Sequence, residues 1–119
     1  MNIEEFRYFC LSLPGAFEDL PFDENTLCFK VMGKIFAICD INEFKSINLK
    51  CEPAKAIELR EEWPDMVVPG YHMNKKHWNT VSMQHHIPDD TVKQWIRDSY
   101  DLVTAKLTRK EKEKLAKLN

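Results

Sequence analysis

Apolar positions along this chain switch between a helical spacing and strict alternation, and the switches divide it into elements. Phe6, Phe9, Cys10 and Leu13 recur at the spacing of one helical face. Asn2 precedes them as an N-cap, and Glu5 three residues on completes the pattern of a capping box. Pro14-Gly15 stops that helix, and residues 16–25 read as an acidic loop anchored by Leu20, Pro21 and Phe22. Alternation then takes over. Leu27, Phe29 and Val31 alternate with Cys28, Lys30 and Met32, and the pattern resumes after Gly33 with Phe36 and Ile38. This is a hairpin whose two-residue turn is Met32-Gly33 or Gly33-Lys34, with glycine supplying the positive φ such turns need. Both registers put Phe29, Val31, Phe36 and Ile38 on one face, read as the core side. A third strand over residues 46–50 sends Ile47 and Leu49 inward and Ser46, Asn48 and Lys50 outward.

Pro53 suits the first turn of a second helix, which carries Ile57 and Leu59 and runs through Trp63 to Pro64. Residues 79–83 have the β-branched content of a fourth strand. Asp89 or Asp90 caps a long helix striped by Val92, Trp95, Ile96, Ser99, Leu102, Val103 and the stem of Lys106. Thr108 and Glu111 form a second capping box before a short basic helix. The expected order is α-β-β-β-α-loop-β-α-α. Hairpin-connected strands imply an antiparallel sheet with helices packed on one face, an α+β two-layer sandwich. Residues 1–107 are expected to form a single domain, with 108–119 as a basic helical extension.

Composition narrows the class. A chain of 119 residues, 44% hydrophobic and 30% charged, suits one globular domain. No apolar run approaches the ~20 residues of a spanning helix, and Glu4 and Glu5 stand where a signal peptide carries base. A monomer that stays in the cytoplasm and off the membrane is the expectation. Cys10, Cys28, Cys39 and Cys51 show no C-x-x-C spacing and read as reduced thiols in or near the core. The net charge of −2 hides an asymmetry: residues 1–65 carry 7 Lys/Arg against 13 Asp/Glu, a balance of −6, and residues 66–119 carry 10 against 6, a balance of +4. An anionic partner must therefore be met by a local patch.

The segment 69–81 concentrates candidate chemistry: Pro-Gly-Tyr-His-Met-Asn-Lys-Lys-His-Trp-Asn-Thr-Val. His72 and His77 are possible zinc ligands in type, but a site needs three or four, the rest drawn from His85, His86 or a cysteine. Nucleophilic catalysis would use Cys51 near a helix N-terminus, or Ser99 with Tyr100 and Asp101, beside a histidine base. Nucleic-acid binding suits the residue types better. Lys75 and Lys76 offer charge to phosphates, and Tyr71, His77 and Trp78 offer faces for stacking. Asn74 and Asn79 are the amide type that pairs with adenine edges or phosphate oxygens, while Lys30, Lys34 and Lys50 extend the patch. A structural loop, with Tyr71 and Trp78 tucked on the sheet, stands as an equal alternative.

Together, Leu13-Pro14-Gly15-Ala16, Phe29-Lys30-Val31 with Gly33-Lys34-Ile35-Phe36-Ala37, Leu49-Lys50-Cys51, the stretch 69–79 and Ser99-Tyr100-Asp101-Leu102-Val103 resemble the successive signatures of the MmcQ/YjbR family of small bacterial proteins. The resemblance runs from about residue 2 to 107. It implies a fold similar to the frataxin/CyaY sandwich, and the family's description as DNA-binding with a winged surface. Iron binding in frataxin depends on an acidic ridge, and the first helix here offers only Glu4 and Glu5, so no cofactor is expected. The resulting expectation is a non-enzymatic domain that binds DNA weakly through residues 71–79 and the neighbouring lysines. The alternative is a small-molecule or protein-binding module whose pocket wall is that same loop, with His72 and Trp78 on it.

Overall fold

The computed structural model describes residues 1–70 and 73–118. Its elements are α1 (Ile3–Ser12), β1 (Ala16–Asp19), β2 (Thr26–Val31), β3 (Lys34–Asp40), β4 (Ser46–Lys50), α2 (Pro53–Glu62), β5 (Val67–Pro69), β6 (Trp78–Ser82), α3 (Asp89–Ala105) and α4 (Arg109–Lys117). The six strands form one sheet in the order β1-β2-β3-β4-β6-β5, every neighbouring pair antiparallel. Helix α3 lies on β2, β3 and β4, α1 on β1, and α2 on β5. This is the expected α+β architecture. No helix among the described residues is long and apolar enough to cross a membrane.

Local signals placed most elements. Asn2 and Glu5 form the reciprocal capping box of α1, and Thr108 and Glu111 that of α4. Met32 and Gly33 both take positive φ, +49° and +79°, so the hairpin turn is Met32-Gly33. The stripe of α3 is buried at Val92, Trp95, Ile96, Ser99 and Val103, with Tyr100 beside it. Pro88, not Asp89 or Asp90, occupies its N-cap, and both acids sit in the first turn, where they suit the helix dipole.

Five readings need correction. The expected acidic loop begins with an edge strand, because Ala16–Asp19 finds the unpaired side of β2. Leu20 and Phe22 are not its anchor, being 45% and 68% exposed. A further three-residue strand, β5, pairs with β6 at the other edge. The common face of Phe29 and Ile38 fails at a β-bulge. Phe29 pairs with Ala37 but Lys30 with Ile35, so Phe36 is an extra residue that resets the alternation. Ala37 and Cys39 therefore join Leu27 and Phe29 in the core, and Ile38 moves to the opposite face with its partner Cys28. Finally, Ile57 is 53% exposed, and Ala56 and Leu59 carry the buried face of α2.

Candidate functional site

The β3–β4 ladder ends at Ala37 and Leu49, next to the bulged Phe36, and Ser99 of α3 takes the following place. Its hydroxyl donates to the Phe36 carbonyl at 2.6 Å and accepts the Lys50 backbone N–H at 2.9 Å. A fully buried helix serine thus stands in for a missing strand-to-strand bond. Next to it, the Tyr100 ring meets Phe36 edge-on at 5.4 Å, and its hydroxyl donates to the Pro14 carbonyl, tying α3 to the turn after α1. Gly15 of that turn has φ +71°, and a β-carbon there would collide with Leu115 of α4. The terminal helix consequently packs against the domain.

The segment after β5 is fastened to the same end of the sheet. The Gly70 N–H donates to the Trp78 carbonyl at 2.8 Å, an approach so close that a β-carbon on Gly70 would sit 2.7 Å from Trp78 Cβ. Asn74 Oδ1 accepts the Lys76 N–H at 3.0 Å, the Asn74 carbonyl accepts the N–H of His77 and Trp78, and Cys51 N–H donates to the His77 carbonyl at 2.7 Å. Arg60 of α2 holds the loop from below: Nε donates to Asn79 Oδ1 at 2.7 Å and a terminal nitrogen to the Lys75 carbonyl. Asn79 is 2% exposed. Both amides considered for base edges are thus engaged within the protein. Arg60, which sequence reasoning passed over, is the loop's clamp; a lone helix arginine carries no signal for that role.

Strand register sorts charge by ends. Lys34 opens β3, Lys50 closes β4 opposite Trp78, and Lys75 and Lys76 are exposed on the loop entering β6, all at one end of the sheet. Lys106 caps the C-terminus of α3 nearby. Burial lowers the Lys50 ammonium pKa, and the positive charges of Lys106 and Lys34 lower it further. Glu111 of α4 lies within the field of Lys34. Asp23, Glu24, Asp40 and Glu43 gather at the opposite end, where Thr26 pairs with Asp40. Lys30 does not belong to the basic end. Its Nζ lies 2.8 Å from Asp19 Oδ2, and the carboxylate pKa is lowered by that bond. The candidate residues Tyr71 and His72 lie outside the described residues. His77 and Trp78 are half-buried.

A cleft of about 370 Å³ opens between α2 and α3. Leu49 and Val81 form its floor, Leu59, Trp95 and Leu102 its walls, and Lys50, Glu52, Asp98 and Asp101 its charged lining. Among the described residues lining it, the loop contributes nothing before Asn79, and Trp78 is not on its wall. Cys51 lines it too, half-buried, with its thiol pKa raised first by burial and then by Asp98. The other three cysteines are buried, and burial pushes the Cys39 thiol up to about 12. Among the described residues no group of three His, Cys, Asp or Glu is placed to hold a metal ion. Among the described residues one serine meets a histidine: Ser82 Oγ and His85 Nδ1 are 2.8 Å apart in the exposed turn after β6, away from the cleft.

The fold defines a small α+β domain whose open six-stranded sheet is backed by helices on one face. A family model described as YjbR matches residues 11–102, and the chain belongs to that family. Among similar proteins, the uncharacterised YbdF of Escherichia coli O157:H7 is 33% identical over 113 residues, 94% of this chain and 92% of that one. The uncharacterised YjbR of Escherichia coli K12 is 29% identical over 119 residues, 99% of this chain and 100% of its own. The crystal structure of the Deinococcus radiodurans protein DR2400 superposes with a TM-score of 0.89 at 38% identity, covering 97% of this chain and 88% of that one. A Pseudomonas syringae crystal structure gives 0.71 at 26% identity, covering 86% and 98%. The stretches that carry the family resemblance meet in space: Pro14 with Tyr100, Phe36 with Ser99, Lys50 with Trp78.

Proposed function

We propose that this protein is a non-enzymatic binding domain that holds the phosphate backbone of DNA weakly at the lysine end of its sheet. The observation that carries the reading is the register that brings Lys34, Lys50, Lys75 and Lys76 to one end while Asp23, Glu24, Asp40 and Glu43 lie at the other. That separation gives a molecule of net charge −2 a positive face for a polyanion. With Lys30 taken by Asp19 and Lys34 beside Glu111, four lysines remain for phosphates: Lys50, Lys75, Lys76 and Lys106. Half-buried Trp78 next to them adds a ring for stacking at an opened or frayed base. With both amides engaged in the loop, this end is suited to backbone contact without base readout.

Fluorescence anisotropy of a labelled duplex at about 50 and about 200 mM salt tests the proposal. Four phosphate contacts predict that log K falls against log salt with a slope of roughly −3.6. Lys75→Ala with Lys76→Ala should flatten that slope by about 2. Failure to bind any duplex at low salt, or an unchanged slope in the double variant, overturns it.

A further inference from the structure

Lys50 and the acids Glu52, Asp98 and Asp101 line one cleft, yet among the described residues none of the four forms an ion pair. Opposite charges at one opening that do not neutralise each other leave a dipolar rim. Lys55, also on the rim, is by contrast engaged with Glu58 at 3.7 Å. Below the rim the surface is apolar, made by Leu49, Val81, Leu59 and Trp95. The volume, about 370 Å³, falls within the usual range for small-molecule sites. Trp95 is held edge-on against Trp63 at 5.7 Å, and Asn79 is fixed by Arg60, so floor and wall are set before any ligand arrives.

We infer that the cleft between α2 and α3 binds a small zwitterion with an apolar body, its anionic group toward Lys50 and its ammonium toward Asp98. The apolar body displaces water from Leu49, Val81 and Trp95, and the two charged groups meet rim charges without an ion-pair partner among the described residues, Asp98 Oδ1 accepting from neutral Gln94 Nε2 at 2.9 Å. A ligand of one sign meets one partner and is repelled by the other. This site shares Lys50 with the DNA reading but needs no contact with Lys75, Lys76 or Lys106, so Lys75→Ala with Lys76→Ala separates the two.

Cys51 supplies the readout. It is the one cysteine that is not buried, and it sits in the cleft, so alkylation by iodoacetamide under native, mildly alkaline conditions reports occupancy. L-phenylalanine, phenethylamine and 3-phenylpropionate share a benzyl body and carry both charges, the ammonium alone and the carboxylate alone. L-phenylalanine is expected to halve the alkylation rate at a concentration about threefold or more below that of either companion, the preference one solvated ion pair supplies. Asp98→Asn should bring L-phenylalanine level with 3-phenylpropionate, and Lys50→Met level with phenethylamine, each variant normalised to its own ligand-free rate. Equal protection by a singly charged probe, or no protection by any of the three at tens of millimolar, overturns the inference. So does L-phenylalanine binding, seen by calorimetry, that leaves Cys51 as reactive as before.

Discussion

Replacing Ser99 by alanine tests the joint on which this end of the molecule depends. The hydroxyl is fully buried and makes two bonds, to the Phe36 carbonyl and from the Lys50 N–H. Alanine leaves both backbone groups without that partner at the β-bulge, where no strand neighbour replaces it. An unsatisfied buried polar group costs about 1–3 kcal/mol, and two sharing one lost hydroxyl make roughly 2–4 kcal/mol. A chain of this size loses about 4 °C of Tm per kcal/mol, so thermal unfolding should shift down by roughly 8–16 °C. Ser12→Ala is the control: its hydroxyl bonds the Phe9 carbonyl at an exposed position, and its loss should stay within about 0.5 kcal/mol. Hydrogen exchange gives a local reading, since the Lys50 amide should exchange faster in Ser99→Ala. A loss under about 0.5 kcal/mol with unchanged protection of that amide would refute the reasoning.

Two further outcomes follow from the same contacts. Gly70→Ala places a methyl 2.7 Å from Trp78 Cβ and 3.0 Å from its carbonyl oxygen, so denaturant unfolding should show a loss of about 1–3 kcal/mol; wild-type stability would mean the loop yields freely. Arg7 of α1 pairs with Glu18 of β1 and lowers the Glu18 pKa from the ordinary carboxylate value, its side-chain hydrogen bond being the largest cause. A depressed carboxylate pKa contributes stability above its unfolded value and loses it as pH falls through the folded one. Arg7→Ala should thus melt below wild type at pH 7, and the two curves should converge as pH drops below the carboxylate range; a gap that persists there would exclude Glu18 as its source.

How much was legible in the sequence depends on the reach of each signal. Capping boxes at Asn2 and Thr108, the Gly33 turn, Pro53 at a helix start and the stripe of α3 act over a few residues, and each was placed from the sequence. Strands β1 and β5 carry little pattern of their own; they exist because β2 and β6 offer unpaired edges. The alternation of β3 misassigned Ile38, since nothing near Phe36 announces a bulge whose carbonyl is satisfied by a residue 63 positions away. Lys75 and Lys76 are exposed on the loop entering β6. Asn79 was placed on the right segment with the wrong neighbour, because its partner Arg60 lies on another helix.

The sequence by itself determined the class of fold, the order of its main elements and the family, through periodicity, caps and a long loop motif. Only the tertiary structure decided which of those residues meet. It paired Lys30 with Asp19 and removed it from the basic surface, gathered Lys34, Lys50 and Lys106 from three elements, and used Ser99 to close the sheet. It also left a cleft between α2 and α3 that no stretch of sequence announces. Periodicity is written in neighbours along the chain. A charge pattern or a cavity is made by neighbours in space, and those are chosen when strands take their register and helices settle on them.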